Sequence, residues 1–445
     1  TCIQDVNERV REEPVTALSI SSQGEAVVPV SADGQVLANS PVSSDNRAIP
    51  QANTLIERIG LDQIYGLTGQ PASALFSLPK IMWWKDNAPE VYRRAWKFLC
   101  YGDFVTLKLG LEPVIDRTMA ARTLAYNIQT HRWSEEILDA AGVQANRFAH
   151  VLPSGTVVGT IPMQIAEKLG FVEPVQVVVG GHDQPCAALG AGVIEPGAVM
   201  YSIGTTEALV AVMAEARSEL QAGNFAVYPH VVPQTYIALA GNQTGGRLLR
   251  WYRDVLGIEE TEIARRENAN VYDVIVRQIS DRPSGLLILP YFAGSGTLEN
   301  DPTATGAIVG LTFDTRREDL VKAILEGITY EQALCLRYLQ EQGVPIHGLN
   351  AVGGGARSAI WLQMKADIIG LPIHQIRVSE AASLGAALLA GWGSGLYPTL
   401  EAGVKRVVSV ETTFTACDEQ TTYYQERLDL YAQLYVQLKP VFAKL

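Results

Sequence analysis

A buried strand that ends in two glycines and a carboxylate constrains this chain more than any other feature. Residues 177–184 read Val-Val-Val-Gly-Gly-His-Asp-Gln, so an apolar β-branched run leads into permissive backbone that lets another group approach, and then to Asp183. The carboxyl ends of strands are where open α/β sheets bind ligands. The pattern therefore predicts an α/β fold with Asp183 at a ligand site.

A second short strand runs into a turn that suits an anion. The strand covers 199–201, and Gly204, Thr205 and Thr206 follow it with amides and hydroxyls that can all point at one phosphate. The lysine of a Walker motif is absent from this turn, so an ordinary P-loop is excluded. Taken alone, the three residues favour a plain hairpin turn.

Length and charge restrict the class of protein and its partners. The 445 residues suffice for two or three domains, and a hydrophobic content of 47% supports large cores. A net charge of −12 without clustered Lys or Arg argues against a nucleic-acid partner. The sequence has no apolar segment of membrane-spanning length, and its five dispersed cysteines suit a reducing cytoplasm. The six scattered histidines predict no protein-built metal site.

Strands and helices alternate along the chain, with one change of pattern. From about 51–150 the sequence predicts short helices broken by Gly and Pro, which is typical of a lid or substrate subdomain. The glycines of 190–197 suggest a hinge, so we expect domains over 1–193 and 194–445. The elements expected in the first half are a strand over 15–20, a hairpin over 26–37 and a helix over 89–99.

The second half contains a triple glycine between a strand and a helix. Gly354, Gly355 and Ala356 precede Ser358, so backbone can approach a flat ligand there, although a βα turn without a ligand is an equal alternative. The GxGxxG spacing is absent, which disfavours a dinucleotide site. The other expected elements are strands over 235–239, 286–291, 349–352 and 373–378, helices over 246–256, 319–342 and 359–369, and a structural helix from Glu380.

Taken in order, these motifs resemble the FGGY family of carbohydrate kinases. Residues 306–311 with Asp319 and Glu326 match the family's second signature at every fixed position checked, and 289–302 resemble the loop before it. The similarity runs from about Val15 to the C-terminal helix. It implies the actin-like, ribonuclease H-like two-domain ATPase fold, with a helical insertion in a sugar-binding N-terminal domain and a nucleotide-binding C-terminal domain.

The resemblance also implies roles for individual residues. Asp183 falls on the catalytic base, which accepts the proton of the sugar hydroxyl that attacks the γ-phosphate of ATP. Outside Asp183, ordinary hydrogen bonding in a loop is an equal alternative for each polar residue. The implied substrate-side residues are Gln23, Glu25, Asp45, Arg47, Asp116 and Gln184. The implied nucleotide-side residues are Gly204, Thr205, Thr206, Gly245, Gly246, Gly354, Gly355, Ala356 and Ser358.

The resemblance predicts ATP-dependent phosphorylation of a small sugar, such as the ketoses xylulose and ribulose, or of a polyol. ATP and Mg²⁺ are the implied cofactors, with sugar and ATP or ADP as small-molecule partners, neither nucleic acid nor membrane, and a homodimer left open. The alternatives are a non-catalytic sugar- or nucleotide-binding module of the same fold and a hydrolase that uses Asp183 with water. Fold analogy does not identify the sugar.

Departures from the family pattern leave the substrate unassigned. The family opens with a strand hairpin that carries Asp-x-Gly-Thr, and nothing before Thr16 resembles it. We expect that a natural beginning with these phosphate- and magnesium-binding residues is missing from this chain. The Arg that glycerol kinases place beside the glutamate is absent next to Glu25, the Met-His of xylulose kinases is also absent, and Gly296 stands where many relatives have Arg.

Overall fold

The computed structural model describes residues 2–280 and 282–445, which alternate between helices and strands. Before residue 194 the elements are α1 (Cys2–Arg9), β1 (Ala17–Ser22), β2 (Val28–Val30), α2 (Ile49–Ile59), α3 (Leu61–Thr68), α4 (Ser77–Asn87), α5 (Pro89–Arg94), β3 (Lys97–Leu99), α6 (Tyr101–Lys108), β4 (Val114–Asp116), α7 (Arg117–Ala121), β5 (Tyr126–Asn127), β6 (Arg132–Trp133), α8 (Glu135–Ala141), β7 (His150–Leu152), β8 (Val157–Thr160), α9 (Met163–Leu169), β9 (Gln176–His182) and α10 (Asp183–Gly190).

The second half continues the alternation. Its elements are β10 (Ala198–Ile203), β11 (Glu207–Met213), β12 (Ala226–Pro229), β13 (Tyr236–Asn242), α11 (Gly245–Val255), α12 (Ile258–Glu267), α13 (Val271–Val276), β14 (Leu287–Leu289), β15 (Ala307–Val309), α14 (Arg317–Glu341), β16 (Gly348–Val352), α15 (Ala359–Ile369), β17 (Ile373–Ile376), α16 (Ala381–Gly393), α17 (Leu400–Val407), β18 (Val410–Phe414) and α18 (Asp418–Phe442).

A three-stranded sheet in the order β1-β9-β8 holds the strand that leads to Asp183. Strands β1 and β9 are parallel, with Ser22 opposite His182, so both strands end at one edge. The two glycines of β9 are explained by close approach: a Cβ at Gly180 would lie 2.0 Å from the Ile20 carbonyl oxygen, and one at Gly181 would lie 2.5 Å from Val231. The group that approaches this backbone is protein.

The larger sheet has seven strands in the order β12-β13-β11-β10-β16-β17-β18. Strands β10 and β11 form an antiparallel hairpin closed between Ile203 and Glu207, so Gly204-Thr205-Thr206 is a hairpin turn. Strand β16 runs parallel to β10 and to β17. Because parallel strands end at the same edge, the hairpin turn and the triple glycine after β16 are neighbours.

The long helix α14 is enclosed more completely than the sequence predicts. Its apolar stripe, predicted as Leu320, Ile324, Ile328 and Leu336, is half-buried at Leu320 and buried at the other three positions, and Glu326 and Glu331 on other faces are buried too. Glu326 accepts hydrogen bonds from the Ser284 amide and the Tyr424 hydroxyl, and Glu331 from two tyrosine hydroxyls. Burial of these carboxyls raises the pKa of each to about 7. The helix ends before Gly343, whose φ of +75° is the left-handed conformation that commonly terminates helices.

Helices α10 and α16 pack with almost no separation. A Cβ at Gly385 would lie 1.8 Å from the Cys186 carbonyl oxygen, and one at Gly190 would lie 2.0 Å from the Ala381 carbonyl oxygen. The prediction that the segment from Glu380 is a structural helix packed through small residues is therefore confirmed. Helix α16 also contacts β1 and β9, so an element from the second half of the chain supports the three-stranded sheet.

Two predictions in the first half are wrong in detail. The hairpin over 26–37 is reduced to one bridge between Val30 and Val36, because β2 pairs with β3, about seventy residues further on. The helix expected over 89–99 ends at Arg94, and its last residues form β3. Phe98 and Leu99 of β3 are buried, and this tertiary packing overrides the local pattern. Within residues 2–280 and 282–445, no helix is long and apolar enough to cross a membrane.

Candidate active site

A cleft of about 320 Å³ opens where β9 passes into α10. Asp183 is the first residue of α10 and therefore sits directly after the strand, as the sequence predicts. Aromatic and apolar side chains form one wall, and amides and hydroxyls form the other. The lining residues are Pro71, Leu75, Phe76, Arg122, His182, Asp183, Gln184, Thr206, Glu207, Ala208, Asn224, Ala226, Leu239, Gly241, Asn242, Gln243, Ser295, Gly296, Thr297 and Asn300. We call this space the sugar cleft, after the ligand that the sequence resemblance predicts for Asp183.

The carboxylate of Asp183 is partly withdrawn from water. Its side chain is 39% exposed, and the Nε2 atom of His182 lies 3.2 Å from its Oδ1 atom. Burial, followed by the negative charge of Glu25, raises the pKa of Asp183 to about 6. A carboxyl group whose pKa lies just below neutral pH is mostly ionised there and is suited to accept a proton.

Arg122 is the cleft residue that the sequence analysis missed. Its Nε donates to Glu25 Oε1 at 2.5 Å and its Nη1 donates to Gln70 Oε1 at 2.7 Å. The guanidinium lies over the rings of Phe76 and Tyr228, at 5.0 and 5.5 Å from their centroids. No local motif marks Arg122, because its partner Glu25 lies 97 residues earlier in the chain.

The structure places Glu25 behind Arg122. The Glu25 side chain is 7% exposed, pairs with the guanidinium, and does not line the sugar cleft. Gln23, in contrast, is exposed and follows β1 at the sheet edge shared with Asp183. Of these two predicted substrate residues, Gln23 is the one whose position leaves its side chain open to a ligand.

Three other predicted substrate residues, Asp45, Arg47 and Asp116, are not brought to the cleft. Asp45 and Arg47 form a pair with each other, and Arg47 stacks on Trp83 at 4.9 Å. Asp116 is buried at the N-terminus of α7, where it accepts hydrogen bonds from the Thr118 and Met119 amides. Burial raises the pKa of Asp116 to about 6. Its geometry is that of a helix cap.

Two buried polar atoms of the cleft have no hydrogen-bond partner within the described part of the chain. They are Gln184 Oε1, an acceptor, and Asn242 Nδ2, a donor. The Oδ1 atom of Asn242 accepts from the amide and hydroxyl of Thr244, which fixes the direction of its NH₂ group. Buried polar groups normally find partners, so both atoms favour a polar ligand in the sugar cleft.

A second cleft, of about 660 Å³, collects six of the predicted nucleotide-side residues. It brings the hairpin turn, the start of α11 and the triple glycine together from three separate segments. We call it the nucleotide cleft. Its lining residues are Gly204, Thr205, Gly246, Leu249, Arg250, Asn270, Tyr272, Asp273, Val276, Gly354, Gly355, Arg357, Ser358 and Trp361.

The hairpin turn separates the two clefts. Gly204 and Thr205 line the nucleotide cleft, whereas Thr206 lines the sugar cleft with Asp183. The Gly246 amide donates to the Gly204 carbonyl at 2.9 Å, which ties α11 to the turn. Gly245 lies beneath it, where a Cβ would come within 2.8 Å of Glu207 and Thr206. Gly245 therefore supports the turn and does not line either cleft.

Ala356, like Gly245 and Thr206, is a nucleotide-side prediction that does not line the nucleotide cleft. It is buried, and its carbonyl accepts a hydrogen bond from Gln375 Nε2 at 3.0 Å. Ser358 lines the cleft and also caps α15 by accepting from the Trp361 amide. The Trp361 indole is itself buried beneath the triple glycine, with its Nε1 unpartnered within the described residues.

A fully buried ion pair supports the hairpin turn from below. Lys365 Nζ lies 2.9 Å from Glu207 Oε1, and both side chains are 0% exposed. Tyr201 donates to the other Glu207 oxygen and accepts from Lys365. Burial raises the pKa of Glu207 and lowers that of Lys365, while their mutual attraction acts in the opposite direction. The network joins β10, β11 and α15 beneath the two clefts.

Comparison with known proteins agrees with this architecture. The chain is 27% identical over 433 residues to the xylulose kinase of Bacillus subtilis (strain 168), covering 97% of this chain and 84% of that protein. A ligand-bound xylulose kinase structure from Lactobacillus acidophilus superposes with a TM-score of 0.90 at 23% identity, covering 99% and 88% of the two chains. A gluconate kinase structure from the same organism gives 0.89, with the same identity and coverage.

Two family models cover most of the chain. The N-terminal domain of the FGGY family of carbohydrate kinases matches residues 1–190, and its C-terminal domain matches residues 199–394. The structural matches confirm the expected actin-like, ribonuclease H-like two-domain α/β fold. The expectation of a phosphotransferase enzyme is likewise confirmed. This chain belongs to the FGGY family of carbohydrate kinases.

Proposed function

We propose that this enzyme transfers the γ-phosphoryl group of ATP to a hydroxyl of a small neutral sugar, such as xylulose or ribulose, or of a polyol, with Asp183 as the general base. One observation carries the proposal. The hairpin turn of Gly204, Thr205 and Thr206 lies between the sugar cleft, where Asp183 is placed, and the nucleotide cleft. A phosphoryl group held at this turn would be reached from both sides.

The proposed chemistry asks the protein mainly for positioning. In phosphoryl transfer the attacking and leaving oxygens lie roughly in line, and charge spreads over the equatorial oxygens. The amides and hydroxyls of Thr205 and Thr206 would orient the phosphates. Asp183 would accept the proton that the sugar hydroxyl loses as its oxygen bonds to phosphorus. The wall of Phe76 and Leu75 would limit water, which competes as a nucleophile.

The charge balance of the cleft favours a neutral substrate. The positive charge of Arg122 is compensated by Glu25 at hydrogen-bond distance. A sugar acid would have to compete with this buried carboxylate for the guanidinium. Among the similar structures, one is described as a xylulose kinase and another as a gluconate kinase. The Arg122–Glu25 pair leads us to prefer the neutral class, with Gln184, Asn242 and Gln23 as the hydroxyl-binding residues.

Magnesium is expected to arrive with the nucleotide. No group of three or more His, Cys, Asp or Glu that could hold a metal occurs among the residues described. Glu207, a second carboxylate of the sugar cleft, is already paired with Lys365. These residues do not fit a protein-built magnesium site, and Mg²⁺ in kinases is bound largely by substrate phosphates and water.

We retain the division into residues 1–193 and 194–445 as a proposal, with the helical insertion of 51–150 forming the apolar wall of the sugar cleft. Phe76 and Arg122 of the insertion support it by lining the cleft. Thr206 and Asn242 of the second half line the opposite side. Closure of the two sides would bring the sugar and the phosphate together.

Sugar-dependent release of ADP tests the proposal. The purified enzyme would be screened against xylulose, ribulose, glycerol and gluconate with MgATP, and phosphorylated products identified by mass spectrometry. We expect turnover with a neutral ketose or polyol and little with gluconate. Preferential turnover of gluconate would refute the neutral class. ATP loss that does not depend on any sugar would identify a hydrolase instead.

A further inference from the structure

Two residues behind the proposed base form a chain of close polar contacts that ends on it. His182 Nε2 lies 3.2 Å from Asp183 Oδ1, and His182 Nδ1 lies 2.9 Å from the Tyr228 hydroxyl. His182 is 5% exposed and Tyr228 is fully buried. The chain therefore runs from the core of the protein to the carboxylate in the sugar cleft.

The direction of the hydrogen bonds follows from what each group can donate. Burial raises the pKa of Tyr228, so its hydroxyl keeps its proton. Burial and the nearby charge of Arg122 hold the pKa of His182 well below its usual value, so the imidazole is neutral and carries one N–H. Within the described residues, His182 Nδ1 is the partner of the Tyr228 hydroxyl. The buried hydroxyl donates to it, which leaves the imidazole proton on Nε2.

We propose that Tyr228 fixes His182 as the Nε2–H tautomer, and that His182 thereby holds Asp183 ionised and oriented, with one carboxylate oxygen left free to accept the sugar proton. Both are positioning residues, and the inference rests on the proposed role of Asp183 as base. During transfer the hydroxyl proton passes to Asp183, and the His182 and Tyr228 protons stay where they are.

The ring of His182 is held in place by its surroundings. Its backbone amide donates to the Thr118 hydroxyl at 2.8 Å, and a Cβ at Gly24 would come within 3.1 Å of the imidazole. Rotation of the ring away from Asp183 therefore meets close neighbours. The other titratable and charged groups around His182 and Asp183 are Glu25, Arg122, Tyr228, Asp116 and Cys186.

Without the Tyr228 hydroxyl, nothing on that side would confine the imidazole proton of His182 to Nε2. With the proton on Nδ1, a lone pair of Nε2 would face Asp183, and this arrangement favours the protonated carboxyl. Tyr228→Phe should therefore move the acid limb of kcat/KM for the sugar upward by roughly one pH unit, since a hydrogen bond to a charged group is of that size. KM for ATP should not change, because Tyr228 does not line the nucleotide cleft.

Substitutions at His182 separate positioning from packing. The side-chain amide of His182→Gln can still donate to Asp183, whereas His182→Phe keeps the bulk and removes the donor. We expect His182→Gln to retain most of kcat and His182→Phe to lose roughly tenfold or more, with a raised acid limb. Equal loss in both variants would reduce His182 to a packing role and overturn the proposal.

The matched control is Tyr126→Phe. Tyr126 is also fully buried, but its hydroxyl has no hydrogen-bond partner in the described part of the chain, so this change should leave the pH profile in place. If Tyr228→Phe behaves like Tyr126→Phe, the proposal is wrong. If Tyr228→Phe does not fold, the two His182 variants decide. Asp183→Asn separates the proposed base from its proposed positioning by His182 and Tyr228. Full activity of Asp183→Asn would refute Asp183 as the base. An inactive Asp183→Asn together with an unshifted pH profile of Tyr228→Phe would refute only the positioning role.

Discussion

Arg122 and Glu25 form a buried ion pair at the wall of the sugar cleft, with both side chains 7% exposed. The pair joins the segment after β1 to the residue after α7. Gln70 Oε1 accepts a further hydrogen bond from Nη1 of the guanidinium. Breaking a buried pair from one side leaves the other charge without compensation, which is far more costly than losing an exposed pair.

Glu25→Ala should therefore affect both stability and sugar binding. We expect a loss of about 3 to 5 kcal/mol in the free energy of unfolding, because Arg122 remains buried and unpaired. The KM for sugar should rise more than the KM for ATP, since Arg122 lines the sugar cleft. Denaturant melts and two-substrate kinetics measure both effects.

The control for this change is Glu90→Ala. Glu90 and Arg93 form an exposed pair, at 72% and 67% exposure, so its loss should cost at most about 1 kcal/mol. A Glu25→Ala variant as stable as Glu90→Ala would contradict the structural role given to Glu25. A larger effect on KM for ATP than on KM for sugar would contradict its placement.

Asp183→Asn should lower kcat by roughly 10²–10⁴-fold while sugar and ATP still bind, because the amide keeps the shape of the carboxylate and cannot take a proton. Asp116→Asn is the matched control. Asp116 also has a pKa raised to about 6 and also lies at a helix start, but it is outside both clefts. Calorimetric binding and initial rates distinguish the two. If Asp116→Asn lost as much kcat as Asp183→Asn, the assignment of Asp183 as the general base would be contradicted.

The rate should fall on the acid side with a midpoint near pH 6. Only the ionised form of Asp183 accepts a proton, and its pKa of about 6 lies above the usual value for Asp. Below this midpoint kcat/KM should therefore fall roughly tenfold per pH unit. The γ-phosphate of ATP titrates in the same range, so the residual activity of Asp183→Asn serves as the reference. An acid limb that persists unchanged in that variant belongs to the nucleotide.

Gly354 and Gly355 should respond differently to the same substitution. A Cβ at Gly354 meets nothing within 4 Å, whereas one at Gly355 would lie 2.3 Å from Ile203. We expect Gly354→Val to fold normally and to raise KM for ATP, because Gly354 lines the nucleotide cleft. Gly355→Val should lower the melting temperature. Unchanged ATP affinity in a well-folded Gly354→Val protein would argue against a nucleotide in this cleft.

Lys365→Met should destabilise the enzyme by about 3 to 5 kcal/mol, because it leaves Glu207 buried without its partner. Adding Glu207→Gln should recover part of that loss, and thermal or chemical denaturation of the two variants checks it. A double variant that is no more stable than Lys365→Met would show that the pair does not act as a unit. The hairpin turn ends next to Glu207, so KM for ATP should rise most in Lys365→Met and less in the double variant.

The sequence predicted the strands and turns whose signals are local. The run before Asp183, the Gly-Thr-Thr turn and the triple glycine each combine a short, mostly apolar strand with residues that favour turns. Strand β16 and helix α15 occur where they were expected. Six of the predicted nucleotide-side residues meet in one cleft, because their strands end at one edge of the sheet.

Features that depend on distant partners could not be predicted in this way. Strand β2 pairs with β3 and Glu25 pairs with Arg122, and both partners lie far along the chain. Glu25 looked like a substrate residue because its immediate neighbourhood resembles that of polyol kinases. In the structure, the Glu25 carboxylate instead pairs with the buried guanidinium of Arg122. Arg122 and Tyr228 carry no motif, and only their packing around His182 reveals them.

The contact between α10 and α16 bears on the order in which this enzyme becomes active during synthesis. The helix that begins with Asp183 rests on a helix of residues 381–393 so closely that neither Gly190 nor Gly385 has room for a methyl group. A growing chain therefore lacks the surface that seats its proposed base until most of it has left the ribosome. Fragments that end before residue 381 lack this support for Asp183, and we expect them to be inactive.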